Sequence, residues 1–264
     1  MYKKILTIFL ASILIFSCTG CTEEETQSTI KALKNLFKIY ETLSGHTENN
    51  HYTANGEEIT FTTKDGTEIT VPAYAGDPWV EINNDEPFFT KKEITKKAYE
   101  KYSDLDDLKR CGPAIACLGP ETLPTEKRGN IGSVKPSGWH SVKYPKRIKD
   151  NYLYNRCHLI AYELSAENAN KKNLITGTRY LNIQGMLDFE NTTRAYIDQT
   201  YNHVMYRVTP VFIKDELVCR GVLMEIKSVE DQGKGLSHCI YCYNVQPGIN
   251  IDYRTGESSL AAKN

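Results

Sequence analysis

Hydrophobic and polar positions alternate or recur along the chain in runs short enough to name element by element. After an apolar run at the N-terminus, "TIKALKNLFKIYETLSG" spaces Ile30, Leu33, Leu36, Phe37 and Tyr40 by three and four, which predicts a short amphipathic helix ended by Gly45. "EEITFTTKDGTEITV" alternates on either side of Asp65-Gly66 and predicts a β-hairpin. "WVEINNDEPFF" reads as a strand and turn, and "TKKEITKKAYEKYSDLDDL" has helical spacing with Thr90 as its cap. From Arg110 to Tyr144 the breakers crowd together, in "CGPAIACLGPETLP", "RGNIG" and "KPSGW", so a long irregular stretch is expected there, of the kind that carries function. An Asn-rich loop, "SAENANKKN", precedes the short strand "LITGTRY", which ends near Asn182. "MLDFENTTRAYIDQTY" is helical through Met186, Phe189, Ala195 and Ile197. Three β-rich runs close the chain: "HVMYRVTPVFI", "LVCRGVLMEIKSV" and "CIYCYNV". The pattern is α+β, a mixed and largely antiparallel sheet with a helix between strands.

The first 21 residues stand apart. Two lysines, an apolar run from Ile5 to Phe16 and a small-residue cysteine cluster have the order and length of a secretory signal. Its end resembles a bacterial lipobox, with Cys18 or Cys21 as the lipidated residue. The expectation is an exported protein, held at the cell surface by a lipid anchor in the membrane or else secreted. Export permits disulfides among Cys111, Cys117, Cys157, Cys219, Cys239 and Cys242, without choosing a pairing.

At 264 residues, 40% hydrophobic and 25% charged, the chain holds one sizeable domain plus an appendage. The formal charge of -1 excludes a bulk polycation. Its distribution matters more, because Arg128 to His158 carries seven Lys/Arg against the single acid Asp150. Such a patch suits a polyanionic partner, with an ordinary solvated surface as the alternative. Trp139, Tyr144, Tyr152 and Tyr154 could stack on bases, although aromatics in such numbers more often belong to a core.

Within "NRCHLI", Cys157 and His158 invite three chemical readings. Structural zinc would need Cys157, His158, His238, Cys239 and Cys242 to converge, but strand neighbours face opposite ways. A Cys-His nucleophile pair fails similarly, since adjacent residues rarely bring thiol and imidazole together. His158 as a general base suits its near-neutral titration. Downstream, Asn182 and Glu190 would lie about 80° apart around a helix, an amide oxygen and a carboxylate able to hold Mg²⁺ directly or through its waters. A helix cap and a surface acid are the plainer alternatives for these two.

"YNRCHLI", "NLITGTRYLN", "FE", "YNVQPG" and "IDYRTGE", in that order, resemble the DNA/RNA non-specific endonuclease family, the ββα-metal nucleases that include secreted streptococcal and Serratia-type enzymes. The resemblance spans residues 78–258, with 1–21 as signal and lipobox, 22–77 as an N-terminal stalk of helix and hairpin, and 259–264 as a tail. The family's Asp-Arg-Gly-His signature reads Asn155-Arg156-Cys157-His158 here, so two of four positions depart. The resemblance implies a ββα-metal core and a Mg²⁺ enzyme, with Mn²⁺ as a substitute ion. It implies His158 as general base, Arg156 at the phosphate, Asn182 as direct metal ligand and Glu190 ordering the metal's waters. Arg128 and Lys135 are candidate phosphate contacts. The implied partner is DNA, with RNA as a second substrate class, held through phosphates with little sequence preference; no protein partner is implied. A surface lipoprotein that binds nucleic acid or another polyanion without cleaving it is the competing expectation, and a purely structural envelope protein a third.

Overall fold

The computed structural model describes residues 58–63 and 66–262. The chain divides between His51 and Tyr52, and every described residue belongs to the second unit. The signal, the lipobox cysteines and the 22–50 helix expected from the sequence lie outside the described residues.

The predicted hairpin is present: β1 (Ile59–Thr62) pairs antiparallel with β2 (Glu68–Val71). Its alternation gives it one apolar face. Ile69 and Val71 bury that face among Val211, Leu223, Cys239, Tyr241 and Tyr243, so the hairpin packs on the main domain instead of standing off in a stalk. β3 (Trp79–Glu81) follows as expected, with a short 3₁₀ turn over Asn83–Asp85.

Two expectations for the next segment are corrected. No helix forms over 90–108. Thr90 does start one turn, its amide and hydroxyl each 2.8 Å from the Glu93 carboxylate, but the chain then extends into β4 (Tyr99–Tyr102). Arg207 holds Glu93 at 2.8 Å, and β4 finds a partner in β5, so tertiary pairing outweighs the local helical spacing. The irregular stretch is also shorter than the breakers suggest, because Ala114–Leu118 forms β5, a run of small apolar residues inserted between β4 and a later strand.

β6 (Tyr154–His158) and β7 (Leu174–Thr178) form a separate antiparallel pair, with Arg156 opposite Thr176 and His158 opposite Leu174. Between them lies a loop with one helical turn, α1 (Tyr162–Ser165). Buried Asn173 closes that loop by exchanging two 2.9 Å hydrogen bonds with the Ile160 backbone. After β7 come a π-helical turn, Leu181–Met186, and α2 (Leu187–Thr200). Thr178 Oγ1 accepts the Leu181 amide at 2.9 Å and so caps this entry. Met186, Phe189 and Ile197 are buried as expected, while Ala195 is exposed and Thr193 takes its place in the buried stripe.

β8 (Val204–Val211), β9 (Gly221–Ser228) and β10 (Ser237–Tyr243) complete a six-stranded sheet in the order β3-β10-β9-β8-β5-β4, antiparallel throughout. Tyr206, Val222, Met224, Ile240 and Cys242 meet Met186, Phe189 and Ile197 in one core cluster. The β1–β2 hairpin covers part of the opposite face. Burial on both faces explains why these strands read as nearly continuous apolar runs. Glu225, the buried acid of β9, is neutralised by a two-pronged contact from Arg207, 2.6 Å on each arm. A last pair, β11 (Ile249–Ile251) and β12 (Ser258–Leu260), ends the fold.

All six described cysteines are buried free thiols. Among the described residues no cluster of three or more His, Cys, Asp and Glu could hold a metal, which removes the zinc reading.

Candidate active site

The site grows from the β6–β7 pair and the start of α2. Asn244, fully buried, clamps this unit to the sheet: its Oδ1 accepts the Thr178 amide at 2.8 Å, and its Nδ2 donates to Thr176 O at 3.0 Å and Cys219 O at 2.9 Å. Tyr253 Oη in turn donates to Asn244 O at 2.7 Å, and Tyr154 Oη to Gly256 O at 3.0 Å. Gly256 has φ +84, and a Cβ there would collide with Gly138 O, so only glycine fits. The blocks "YNVQPG" and "IDYRTGE" therefore brace β6 from behind.

In front of β6 opens a cleft of about 980 Å³. His158, Arg156, Asn182, Glu190, Arg128 and Lys135 all line it, so the fold brings together every site residue expected from the sequence except the lipobox cysteines. Strand parity directs Arg156 and His158 to one side and sends Cys157, 1% exposed, into the core.

His158 sits at the end of β6, 6% exposed. Its Nε2 lies 2.8 Å from Asn168 O, an acceptor only, so Nε2 carries the hydrogen and Nδ1 keeps its lone pair. Arg128 Nη2 stands 3.4 Å from that Nδ1. Burial pushes the imidazole pKa down to about 4; the Arg128 charge adds to this and the Asn168 carbonyl opposes it. The ring is thus neutral at pH 7. An unfolded imidazole holds its proton up to about 6.5, so between pH 6.5 and 4 the unfolded chain binds the extra proton and stability falls as pH falls. The gap corresponds to roughly 3 kcal/mol. Urea unfolding of the wild type and His158→Gln at pH 7 and pH 4 should show that much of the acid loss disappearing in the variant; identical losses would remove His158 as its source.

Asn182 is placed by the π-helical turn, half-buried, with its Oδ1 accepting from Cys157 Sγ at 3.1 Å. The room for that thiol comes from Gly177 on β7, where a Cβ would lie 2.6 Å from Cys157 Cβ. Glu190, on the first turn of α2, lines the same wall and forms no hydrogen bond or ion pair among the described residues. Burial raises its carboxyl to about 8, with Arg128 pulling the other way.

Arg156 is largely committed. Its Nε donates to Val134 O at 2.5 Å, its Nη2 to Gly132 O at 2.8 Å, and its guanidinium lies 4.1 Å over the Trp139 ring. Those bonds hold the segment between Arg128 and Lys135, while Tyr162 Oη fastens Glu126 O at 2.7 Å on its other side. Arg128 and Lys135 are both exposed at the mouth of the cleft.

Sequence reasoning did not find Asn168, whose contribution is a backbone carbonyl and so leaves no residue-type signal. It also left Cys157 without a role, because the partner that gives the thiol a role lies 25 residues away.

Residues 90–230, which contain all six cleft residues named above, match the family described as DNA/RNA non-specific endonuclease. The metal-free NucA of Streptococcus agalactiae is similar at 26% identity over 73% of this chain and 87% of its own, with a TM-score of 0.60. Its magnesium-bound form gives 25% over 78% and 91%, again at 0.60. Zinc-bound Sda1 nuclease shares the fold, at 23% identity over 83% and 93% and a TM-score of 0.52. With the family match covering more than half of the sequence and the cleft built within it, this chain belongs to the DNA/RNA non-specific endonucleases, enzymes that hydrolyse the phosphodiester bonds of nucleic acids.

Proposed function

We propose that the protein is an exported, Mg²⁺-dependent nuclease in which His158 is the general base and Asn182 and Glu190 hold the metal. The observation that carries this reading is a neutral, buried histidine whose Nδ1 keeps its lone pair, in one cleft with an amide oxygen and an unpaired carboxyl.

The donor set fits a hard cation. Asn182 offers an amide oxygen, and Glu190 is a carboxyl that burial keeps protonated until a positive charge arrives beside it. Two protein oxygens are few, which suits an ion that keeps most of its waters, and Mn²⁺ would be accepted on the same ligands. NucA of Streptococcus agalactiae binds magnesium, which supports the choice. When bound, the ion would supply positive charge to the scissile phosphate and the leaving 3′ oxygen.

The chain's own groups do the rest. His158 Nδ1 takes a proton from the attacking water, and the Asn168 carbonyl on Nε2–H orients the ring and steadies the imidazolium that forms. Arg128 leaves Nδ1 for the incoming phosphate, a stronger partner than a 3.4 Å contact to a neutral ring. Lys135 adds charge at the mouth. Arg156 keeps the loop that presents both in place, with Nη1 left to face the phosphate. The P–O3′ bond breaks as the new P–O bond forms, and the departing oxygen takes a proton from water, leaving a 3′ hydroxyl on one product and a 5′ phosphate on the other. Phosphate-directed contacts give affinity that falls with salt and little sequence preference, on DNA and on RNA. Export rests on the N-terminal signal sequence, and the choice between lipid-anchored and secreted forms on Cys18 and Cys21.

Plasmid DNA incubated with the purified protein should be degraded in Mg²⁺ and stay intact in EDTA. Intact plasmid with Mg²⁺, Mn²⁺, Ca²⁺ and Zn²⁺ alike would reject the reading.

A further inference from the structure

The cleft extends well beyond its proposed metal ligands and base. Of the four aromatics that the sequence offered as stacking candidates, Trp139, Tyr152 and Tyr154 line the cleft, and one of the four is exposed. Tyr154 is buried with its hydroxyl on Gly256 O, Tyr144 is half-buried with its hydroxyl 2.8 Å from Ser258 Oγ, and Trp139 is half-buried beneath Arg156. Tyr152 remains, 43% exposed and on the cleft wall.

Tyr152 is rigidly presented. It bridges to Lys143 in an antiparallel arm, supported by Tyr144 N to Asn151 O at 2.7 Å and Leu153 N to Val142 O at 3.1 Å. Buried Ile148 and Leu153 anchor the arm in the core, and Asp150 pairs with Arg179 at 2.5 Å. Lys143 Nζ lies 4.6 Å over the Tyr152 ring. Lys146, Arg147 and Lys149, all exposed, surround the same arm with positive charge.

We propose that Tyr152, backed by Lys143, is a stacking subsite for an unpaired nucleobase of the substrate strand. An exposed aromatic ring in a basic, preorganised setting has the features of single-strand recognition: a π-face for the base and cations for its phosphates. A paired base in a continuous duplex has both faces already covered and gains nothing from the ring. The position also sets a reach. β6 alone covers about 13 Å from Tyr154 to His158 at ~3.3 Å per residue, and Tyr152 precedes its start. Taking His158 as the mark of the scissile phosphate, which rests on the proposed function, Tyr152 receives a base set apart from the one at the bond that is cut.

Binding of the full-length protein in EDTA tests this without cleavage. The probes are fluorescent 12-nucleotide single strands of DNA and of RNA, the matching DNA duplex, and a dinucleotide competitor. Tyr152→Ala should weaken the single strand about tenfold, while Tyr152→Trp keeps wild-type affinity and Tyr152→Leu does not. The duplex and the dinucleotide should change by less than about twofold. An effect on the DNA strand, the RNA strand or both supports the subsite and identifies the source of the base. Unchanged single-strand affinity in Tyr152→Ala, an equal loss on the duplex, or full retention in Tyr152→Leu would overturn it. Failure of the nuclease reading shows up elsewhere, as wild-type protein that does not cleave plasmid with any divalent ion.

Discussion

His158→Ala cuts phosphodiester hydrolysis by two to four orders of magnitude and leaves DNA affinity in EDTA within about twofold. The large loss follows from where this imidazole sits. Its lone pair is directed by a fixed tautomer, with Nε2–H spent on Asn168 O, whereas the cleft's other imidazole, exposed His140 on Thr255 O, lies off the strand whose Cys157 holds Asn182. Lys135, Arg128 and Arg156 are cations and cannot accept a proton at pH 7, and Glu190 is held protonated to about pH 8 in the absence of a metal. Binding survives because the proposed phosphate contacts lie on Arg128, Lys135 and the basic arm, and of these Arg128 alone meets the ring, through a 3.4 Å contact that it gives up to the phosphate. Single-turnover cleavage beside fluorescence anisotropy separates the two effects. A variant with near wild-type turnover would show that the base is some other group.

Asn182→Ala raises the Mg²⁺ concentration needed for half-saturation at least tenfold, measured by calorimetry on the protein without nucleic acid as well as by cleavage. Its amide oxygen is the neutral donor of the pair, and Glu190 alone cannot offer the same geometry. Cys157→Ala should give a smaller effect in the same direction, roughly two- to tenfold, the worth of one hydrogen bond orienting the amide. Cys157→Ser keeps a donor and should restore the titration; a general packing defect would make serine, smaller and more polar in an apolar site, behave as badly as alanine. A Mg²⁺ isotherm unchanged in Asn182→Ala would take that residue out of the metal site.

Much of the fold could be read from periodicity because β8, β9 and β10 are nearly uniformly apolar over seven or eight residues. The first hairpin alternates around its Asp-Gly turn, and α2 carries a helical stripe. The misreadings share one cause. The 90–108 segment has helical spacing, yet Arg207, on a strand more than 100 residues later, captures Glu93, and β5 captures β4. "AIACL" has a single β-branched residue, Ile115, and no aromatic one, and it lies between glycines and prolines, but it pairs with β4 on one side and β8 on the other. In both cases the deciding partner is distant in sequence, where no local pattern can record it.

For the site, the sequence by itself determined which chemical groups are available. A histidine, an amide, a carboxylate and a basic stretch are properties of residue type, and the strand parity of "NRCH" separates His158 from Cys157 whatever the fold around them. Only the tertiary structure decided what those groups can do. Desolvation makes His158 a neutral base, the Asn168 carbonyl fixes the tautomer that leaves the lone pair on Nδ1, and the loop carbonyls turn Arg156 from a free cation into a brace. The close approach of Gly177 lets Cys157 reach Asn182, and packing against β11 buries Tyr154 and half-buries Trp139 and Tyr144 while Tyr152 stays exposed under Lys143. Hydrogen-bond partners and desolvation depend on what surrounds a group in space, and most of those surroundings come from residues far along the chain.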